Sequence, residues 1–182
     1  SLHQPVVGKD MTESIKKGGN VIIPAFAVGR TQDILYILNQ LSREGKLNHL
    51  QVFVDSPMAL QATRITLKHP ECLDKETLEL IKNDKFPKNG LTLKFTESVE
   101  DSMKINKIQS NVIIISASGM CEGGRIRHHL KHNLWRSECS VIFVGFQAVG
   151  TLGRRIVEGA KTVRIFGEEI AVKASIYTIG GL

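Results

Sequence analysis

The sequence lacks several features that mark common classes of protein. No apolar run approaches the roughly 20 residues that a membrane-spanning helix needs, and the first ten residues have no apolar core of the signal-peptide kind. The three cysteines, Cys72, Cys121 and Cys139, are odd in number and form neither a CxxC pair nor a Cys/His ligand pattern. These absences predict a cytoplasmic protein without a membrane partner and without a disulfide framework.

The usual nucleotide-binding fingerprints are also missing. Residues 145–151 contain two glycines and a threonine, but the lysine that a P-loop requires is absent there and after Gly124. No GxGxxG run follows the apolar segment at residues 21–25. ATP and NAD sites of the ordinary kinds are therefore disfavoured.

Positive charge is what the chain has in excess. Its 24 Lys and Arg residues against 18 Asp and Glu residues give a formal net charge of +6 and a pI near 9.3. This balance favours a polyanionic partner such as nucleic acid. With 182 residues, 42% of them hydrophobic, the chain can form one domain with its own core or one lobe of something larger.

Strands and helices are predicted to alternate along the chain. Short apolar runs predict strands at residues 21–25, 51–54, 91–95, 112–115 and 140–145, and amphipathic or capped segments predict helices at 8–19, 30–44, 57–68, 75–84, 99–108, 125–134 and 152–158, with a turn at 86–90. Strands at 162–166 and 170–179 are predicted to form a hairpin around a turn at 167–169. The fold class is therefore α/β, a mainly parallel sheet with helices on both faces and a C-terminal β-hairpin.

The stretch from Asn111 to Leu134 organises the prediction. A buried strand is followed by small and polar residues, Ser116 to Gly119 and Gly123-Gly124, at the place where α/β folds bind anions. The helix that follows carries six basic residues, predicted to give it a positive face: Arg125, Arg127, His128, His129, Lys131 and His132.

Four strand ends carry candidate binding residues. Because the carboxyl ends of parallel strands share one edge of a sheet, Arg30, Ser56, Ser118, Arg125 and Arg155 are expected to converge on one crevice. Arginine suits such a site because its guanidinium group binds phosphate in a bidentate manner.

Each of these signals has a plainer interpretation. Arg30 also suits a solvated surface ion pair, and Asp55-Ser56-Pro57 also suits a helix cap and nothing more. His128 and His132 have a spacing that can hold zinc, but no glutamate lies between them and the sequence offers no third ligand, which favours a basic face that touches RNA.

Five ordered motifs resemble the β-CASP region of the metallo-β-lactamase superfamily of RNA nucleases, which contains the cleavage-and-polyadenylation endonuclease and its bacterial and archaeal relatives. They span nearly the whole chain and read PAFAVGRTQDILYIL, VDSPMA, SASGMCEGGRIRHHL, VGFQAVGTLGRRI and VRIFGEEIAVKASIYTIGG. The resemblance implies a β-CASP lobe over residues 1–160, with residues 161–182 starting a segment that returns to a metallo-β-lactamase domain.

The resemblance also implies a function. In such enzymes the lobe closes over a two-zinc site and forms a cleft for single-stranded RNA, whose phosphodiester bonds are hydrolysed with metal assistance. The family's HxHxDH motif is absent here, as is the histidine expected beyond Leu182. We therefore expect an RNA-clamping lobe of a zinc-dependent ribonuclease that itself binds no metal and is inactive alone. Its implied partners are single-stranded RNA and the metallo-β-lactamase domain, and the resemblance allows a homodimer.

The motifs carry the family's cleft-facing positions onto particular residues. The implied RNA or phosphate contacts are Arg30, Thr31, Ser56, Ser116, Ser118, Gly119, Arg125, His128 and Arg154. Arg155 stands where eukaryotic-type members carry a histidine credited with a general-acid role. Arginine stabilises a phosphate or an oxyanion but is a poor proton donor near neutral pH, so the resemblance implies only electrostatic stabilisation at this position.

Two other functions remain open at this point. The first is a non-catalytic RNA-binding or scaffold member of the same superfamily, because some relatives have lost their metal ligands. The second is a stand-alone nucleotide-binding α/β protein, which the missing P-loop and Rossmann fingerprints disfavour.

Overall fold

A computed structural model describes residues 4–25, 27–47, 49–69, 71, 75 and 91–179. The helices are α1 (Gln4–Lys16), α2 (Ala27–Arg43), α3 (Pro57–Leu67), α4 (Val99–Ile105), α5 (Ile126–Asn133) and α6 (Leu152–Val157). The strands are β1 (Val21–Pro24), β2 (Gln51–Asp55), β3 (Thr92–Phe95), β4 (Val112–Ser116), β5 (Ser140–Phe143), β6 (Thr162–Ile165), β7 (Glu168–Ala171) and β8 (Ser175–Thr178).

Six of the strands form one parallel sheet in the order β3-β2-β4-β1-β5-β8. Strand β4 lies at its centre, with Ile113 opposite Val52 on one side and Val21 on the other. Such a strand has no solvated face, which explains why its five residues are all buried and why its sequence is apolar without alternation. The fold class predicted from the sequence is confirmed.

Alternate side chains of these strands enter two separate cores. Ile23 and Ile113 pack with apolar residues of α1 and α2 on one face of the sheet. Ile22 and Ile114 pack with α4, α5 and α6 on the other face. This is the period-2 alternation of a strand applied to a sheet that is covered twice.

Most predicted elements are present, and their ends shift by a few residues. Helix α2 begins at Ala27, three residues before the predicted start, and the Ser56 hydroxyl caps α3, as the Ser-Pro pair predicts. The predicted helix at 75–84 and turn at 86–90 lie outside the described residues, apart from Lys75.

The predicted strand at 170–179 is wrong, because two strands occupy this segment. β7 pairs antiparallel with β6, which confirms the hairpin, but the chain then leaves the hairpin and β8 pairs parallel with β5 in the main sheet. Leu134 brings this about, since its carbonyl oxygen accepts hydrogen bonds from the backbone N–H groups of Lys173 and Ala174 between the two strands. The domain boundary predicted after residue 160 stays a prediction. In the structure, β8 lies beyond that boundary but pairs with β5 in the main sheet.

No helix in the described ranges is both long and apolar enough to cross a membrane.

The turn between α1 and β1 is a tight contact between two backbones. A Cβ atom at Gly19 would lie 2.1 Å from the carbonyl oxygen of Glu138, just before β5. Because the obstacle is main chain that leads into a central strand, it cannot rotate away as a side chain would.

We expect Gly19→Ala to destabilise the protein by about 1–3 kcal/mol, because the added methyl group forces two backbone segments apart. Urea unfolding measures the effect. Gly29→Ala is the matched control: its Cβ would meet nothing within 4 Å in the described structure, and in a helix the change should be neutral or stabilising. Equal stabilities of the two variants would contradict the proposed close approach.

Candidate nucleic-acid interface

The loops that follow β1, β2, β4 and β5 meet at the carboxyl edge of the sheet, and we call them the rim. The Ser116 carbonyl oxygen accepts from the Ala25 N–H at 3.0 Å, which joins the ends of β4 and β1. The Ser116 hydroxyl donates to the Asp55 carbonyl oxygen at 2.9 Å, which joins the ends of β4 and β2. The ends of β1, β2 and β4 therefore meet at this edge, and the convergence of the five predicted side chains on one crevice stays a prediction.

Asp55, the last residue of β2, is a fully buried carboxylate beneath the rim. Its Oδ1 accepts hydrogen bonds from Thr96 Oγ1 at 2.5 Å and from Arg125 at 2.8 Å. Its Oδ2 accepts from Ser102 Oγ at 2.5 Å and lies 2.6 Å from His129 Nε2. One carboxylate thus connects the end of β2 to the loop after β3, to α4 and to the start of α5.

The electrostatics of this network favour the ionised carboxylate. Burial acts to raise the pKa of Asp55, but hydrogen bonds from His129, Ser102 and Thr96 outweigh it and hold the pKa well below its usual range. Arg125 is an additional partner, and its second guanidinium nitrogen donates to the Glu97 carbonyl oxygen at 2.7 Å.

The positive face expected along α5 is therefore wrong in its composition. Helical geometry turns His129 into the core, and the Arg125 side chain, 19% exposed, is committed to Asp55. Lys131 pairs with Glu168 of β7 at 3.1 Å. Three of the six basic side chains of this segment are thus paired within the molecule, Arg125 and His129 with a buried carboxylate and Lys131 with a carboxylate at the surface.

The neighbouring basic residues of α5 contact an aromatic ring of the hairpin. The Arg127 guanidinium group lies 4.7 Å from the centre of the Phe166 ring, and the His128 ring lies 4.5 Å from it. Burial, followed by the positive charges of His129, Arg127 and Lys131, lowers the pKa of His128. His128 therefore contributes little charge near neutral pH.

Gln147 ties the loop after β5 to the loop after β4. Its buried amide Nε2 donates to the carbonyl oxygens of Gly119 at 3.0 Å and Gly145 at 3.1 Å. The Gly153 N–H donates to the Met120 carbonyl oxygen at 3.0 Å, and the Glu122 carboxylate accepts from the Leu152 N–H. These contacts make the two loops a single rigid segment of the rim.

Gly153 is required at this junction. A Cβ atom there would lie 1.8 Å from the Gln147 amide oxygen and 3.0 Å from the Met120 carbonyl oxygen. A larger residue would displace the buried amide that holds both loops.

Some of the residues predicted to contact RNA are exposed, and the others are buried or hydrogen-bonded within the protein. Arg30 and Arg155 are exposed, whereas Thr31, Ser56, Ser116 and Gly119 are buried. Ser56 caps α3, and the Ser118 hydroxyl donates to the Gly123 carbonyl oxygen at 3.1 Å. Arg154 donates to Glu158 and to the Gln147 carbonyl oxygen. Contact of any of these residues with RNA stays a prediction.

Sequence reasoning missed Asp55, His129 and Gln147 as determinants of the site. The sequence pattern predicts a helix cap for Asp55-Ser56-Pro57, but only Ser56 caps the helix. A signal was present, since an acidic residue that directly continues an apolar strand is buried and must be paired. Gln147 had no comparable signal, because its role depends on two glycine carbonyl groups far apart in the sequence.

The described residues do not fit a zinc site. They contain no group of three or more His, Cys, Asp or Glu side chains that could hold a metal ion. Asp55 and His129 lie side by side but are fully buried and hydrogen-bonded to each other, and the His128 ring lies against the Phe166 ring.

We expect Asp55→Asn to destabilise the protein by about 3–5 kcal/mol at pH 7, because it leaves the buried Arg125 and His129 without their anion. Urea unfolding measures this. The loss should shrink below about pH 4 by up to about 1.4 kcal/mol per pH unit, because a carboxylate with a lowered pKa stabilises the fold above its unfolded pKa and loses that effect as pH falls.

Asp101→Asn is the control for this prediction. Asp101 carries the same charge on α4 but is exposed and pairs with Lys104 at the surface, so only a small change in stability is expected. A stability difference between wild type and Asp55→Asn that stays constant from pH 7 to pH 3 would contradict the role assigned to the Asp55 charge.

Comparison with known proteins places this architecture in a family. The Beta-Casp domain family matches residues 31–156, the segment that contains the rim loops after β2, β4 and β5. Ribonuclease TTHA0252 of Thermus thermophilus is 35% identical over 171 residues, which are 94% of this chain and 39% of that protein. An RNase J-like protein of Methanocaldococcus jannaschii is 33% identical over 94% of this chain and 38% of its own length.

A third relative carries a different name. Transcription termination factor FttA of Methanosarcina mazei is 35% identical over 156 residues, which are 85% of this chain and 24% of that protein. The chain thus spans less than two fifths of the length of each of these relatives. By the family match and by the order of its strands and rim loops, the chain belongs to the β-CASP family.

Proposed function

We propose that this chain is the RNA-gripping lobe of a longer, zinc-dependent ribonuclease that hydrolyses RNA phosphodiester bonds. The observation that supports the proposal is the meeting of strand-end loops at one edge of the sheet, where Arg30 lines a cleft. The name Ribonuclease TTHA0252 of a relative that this chain matches over 94% of its length supports the same reaction.

The rim suits a sugar-phosphate backbone on electrostatic grounds. Arg30 has an ion pair with Asp33 at 3.9 Å, and both side chains are about half exposed, so solvent weakens this pair and leaves the guanidinium group able to bind phosphate. The net charge of +6 acts in the same direction by raising the local concentration of a polyanion.

Arg155 is the proposed electrostatic partner of the reacting phosphate. It is exposed on α6, whose first turn is anchored by the Thr151 cap and by Glu122. An arginine held in this way stabilises negative charge that develops on phosphate oxygens, but its high pKa makes it a poor proton donor. Proton delivery to the leaving oxygen is therefore not assigned to it.

A non-catalytic RNA-binding or scaffold protein is the second candidate. The observation that supports this second candidate is the name of the FttA relatives, which are called transcription termination factors. The two candidates share the RNA contact and differ in the metal site that a longer chain supplies.

We expect the chain to bind single-stranded RNA weakly, with an affinity that falls as salt rises, because arginine contacts release counterions from the RNA. Fluorescence anisotropy with a labelled oligoribonucleotide measures this. Arg30→Gln and Arg155→Gln should each lower the slope of log K against log salt by about 0.7, the value per phosphate contact in a single strand.

Arg43→Gln serves as the control for this experiment. It removes the same charge at the end of α2, at the opposite edge of the sheet, and should leave the slope unchanged. If the folded protein does not bind the RNA at low salt, the proposal that this chain binds RNA by itself is contradicted.

In the full-length protein that carries this lobe, we expect a chelator to abolish cleavage of single-stranded RNA and added zinc to restore it, because metal ions stabilise the charge that develops during hydrolysis. A gel assay of labelled RNA measures the products. Full activity in excess chelator would contradict the zinc-dependent reaction, and no cleavage with zinc would favour the scaffold protein.

A further inference from the structure

A small cleft opens on the rim between the first turn of α2 and the rigid segment that Gln147 holds. Its volume is about 300 Å³, and its lining includes Arg30, Gly119, Met120, Gly145 and Phe146. This volume lies at the lower end of the range for small-molecule sites, which suits one nucleobase rather than a larger ligand.

The floor of the cleft offers few hydrogen-bonding groups to a ligand. The carbonyl oxygens of Gly119 and Gly145 already accept from Gln147 Nε2, and the Gln147 amide oxygen is buried against Gly153. A Cβ atom at Gly145 would meet nothing within 4 Å in the described structure, so this glycine borders open space. The lining of the cleft is mostly apolar.

Phe146 leaves 57% of its surface exposed at this cleft. An aromatic ring beside a positive groove is the arrangement by which proteins hold single-stranded nucleic acid: the bases stack on the ring and cations contact the backbone. Here the cation is Arg30, which lines the same cleft.

We propose that this cleft is a stacking subsite for one base of single-stranded RNA, with Phe146 as the stacking residue and Arg30 on the adjacent phosphate. The inference rests on the function proposed above and deepens it. Because stacking on an aromatic ring needs no hydrogen bond to the edge of the base, the subsite accepts purines and pyrimidines with little preference.

The test compares two labelled RNA oligonucleotides of equal length, one normal and one with abasic positions, by anisotropy with the whole chain at fixed low salt. Phe146→Ala should weaken binding of the normal oligonucleotide about 5- to 100-fold, the range found for loss of one base stack, and should leave the abasic one unchanged. Phe146→Trp should retain binding, because any aromatic ring can stack.

Two further variants separate this subsite from its surroundings. Val149→Ala alters an apolar residue of the same loop that is 82% exposed and should leave both affinities unchanged. Gly145→Val fills the cleft from its floor and should reproduce the effect of Phe146→Ala. Thermal unfolding of each variant confirms that it is folded.

The outcomes distinguish the subsite from the function on which it rests. If wild type binds neither oligonucleotide, the RNA grip itself fails. If wild type binds normal RNA and Phe146→Ala binds it equally well, only the stacking subsite is overturned, and the exposed ring is then a contact for protein. Equal weakening by Val149→Ala would also overturn the subsite, since the loop would then act as a general apolar surface.

Discussion

The buried carboxylate of Asp55 is the interaction on which the rim depends. A charge in the interior is tolerated only when it is paired and hydrogen-bonded, and here each carboxylate oxygen has two partners. Those partners come from the loop after β3, from α4 and from the start of α5. One anion thereby holds together the ends of two strands, β2 and β3, and two helices. The same demand for partners draws Arg125 and His129 away from solvent and leaves the rim with fewer free cations than the helix sequence indicates.

The parallel sheet explains why distant segments meet at the rim. Neighbouring strands β1 and β4 send their helices to opposite faces, α2 to one core and α5 to the other, and a crevice forms where adjacent connections diverge in this way. The residues that line the crevice differ in kind. Arg30 belongs to a helix, whereas Gly119 and Gly145 contribute backbone carbonyl groups that the buried Gln147 amide holds. The crevice thus combines an exposed cation with a preorganised backbone.

The chain belongs to the β-CASP family and spans less than two fifths of the length of the relatives named above. Both facts agree with the proposal that it is one lobe of a longer enzyme. In the proposed enzyme the lobe supplies grip and shape, and the metal chemistry comes from another domain. The described residues agree with this proposal, because the neighbouring His129 and Asp55 side chains are bonded to each other and stabilise the fold. The residues that remain exposed, Arg30, Phe146 and Arg155, are suited to contact a strand rather than to activate water.

The sequence by itself determined the α/β class, the order of the elements, the Ser56 cap and the family, because apolar runs, turn residues and motifs are local patterns. Tertiary structure alone decided three other matters. It split residues 170–179 between a hairpin and the main sheet, because the Leu134 carbonyl group binds the chain there. It turned two of the six basic residues of one segment, Arg125 and His129, toward a buried anion. It placed Gln147 between two glycine carbonyl groups. Each of these three features depends on residues that are far apart in the chain. The free energy of burying polar groups selects such pairings, and a local sequence pattern does not reveal them.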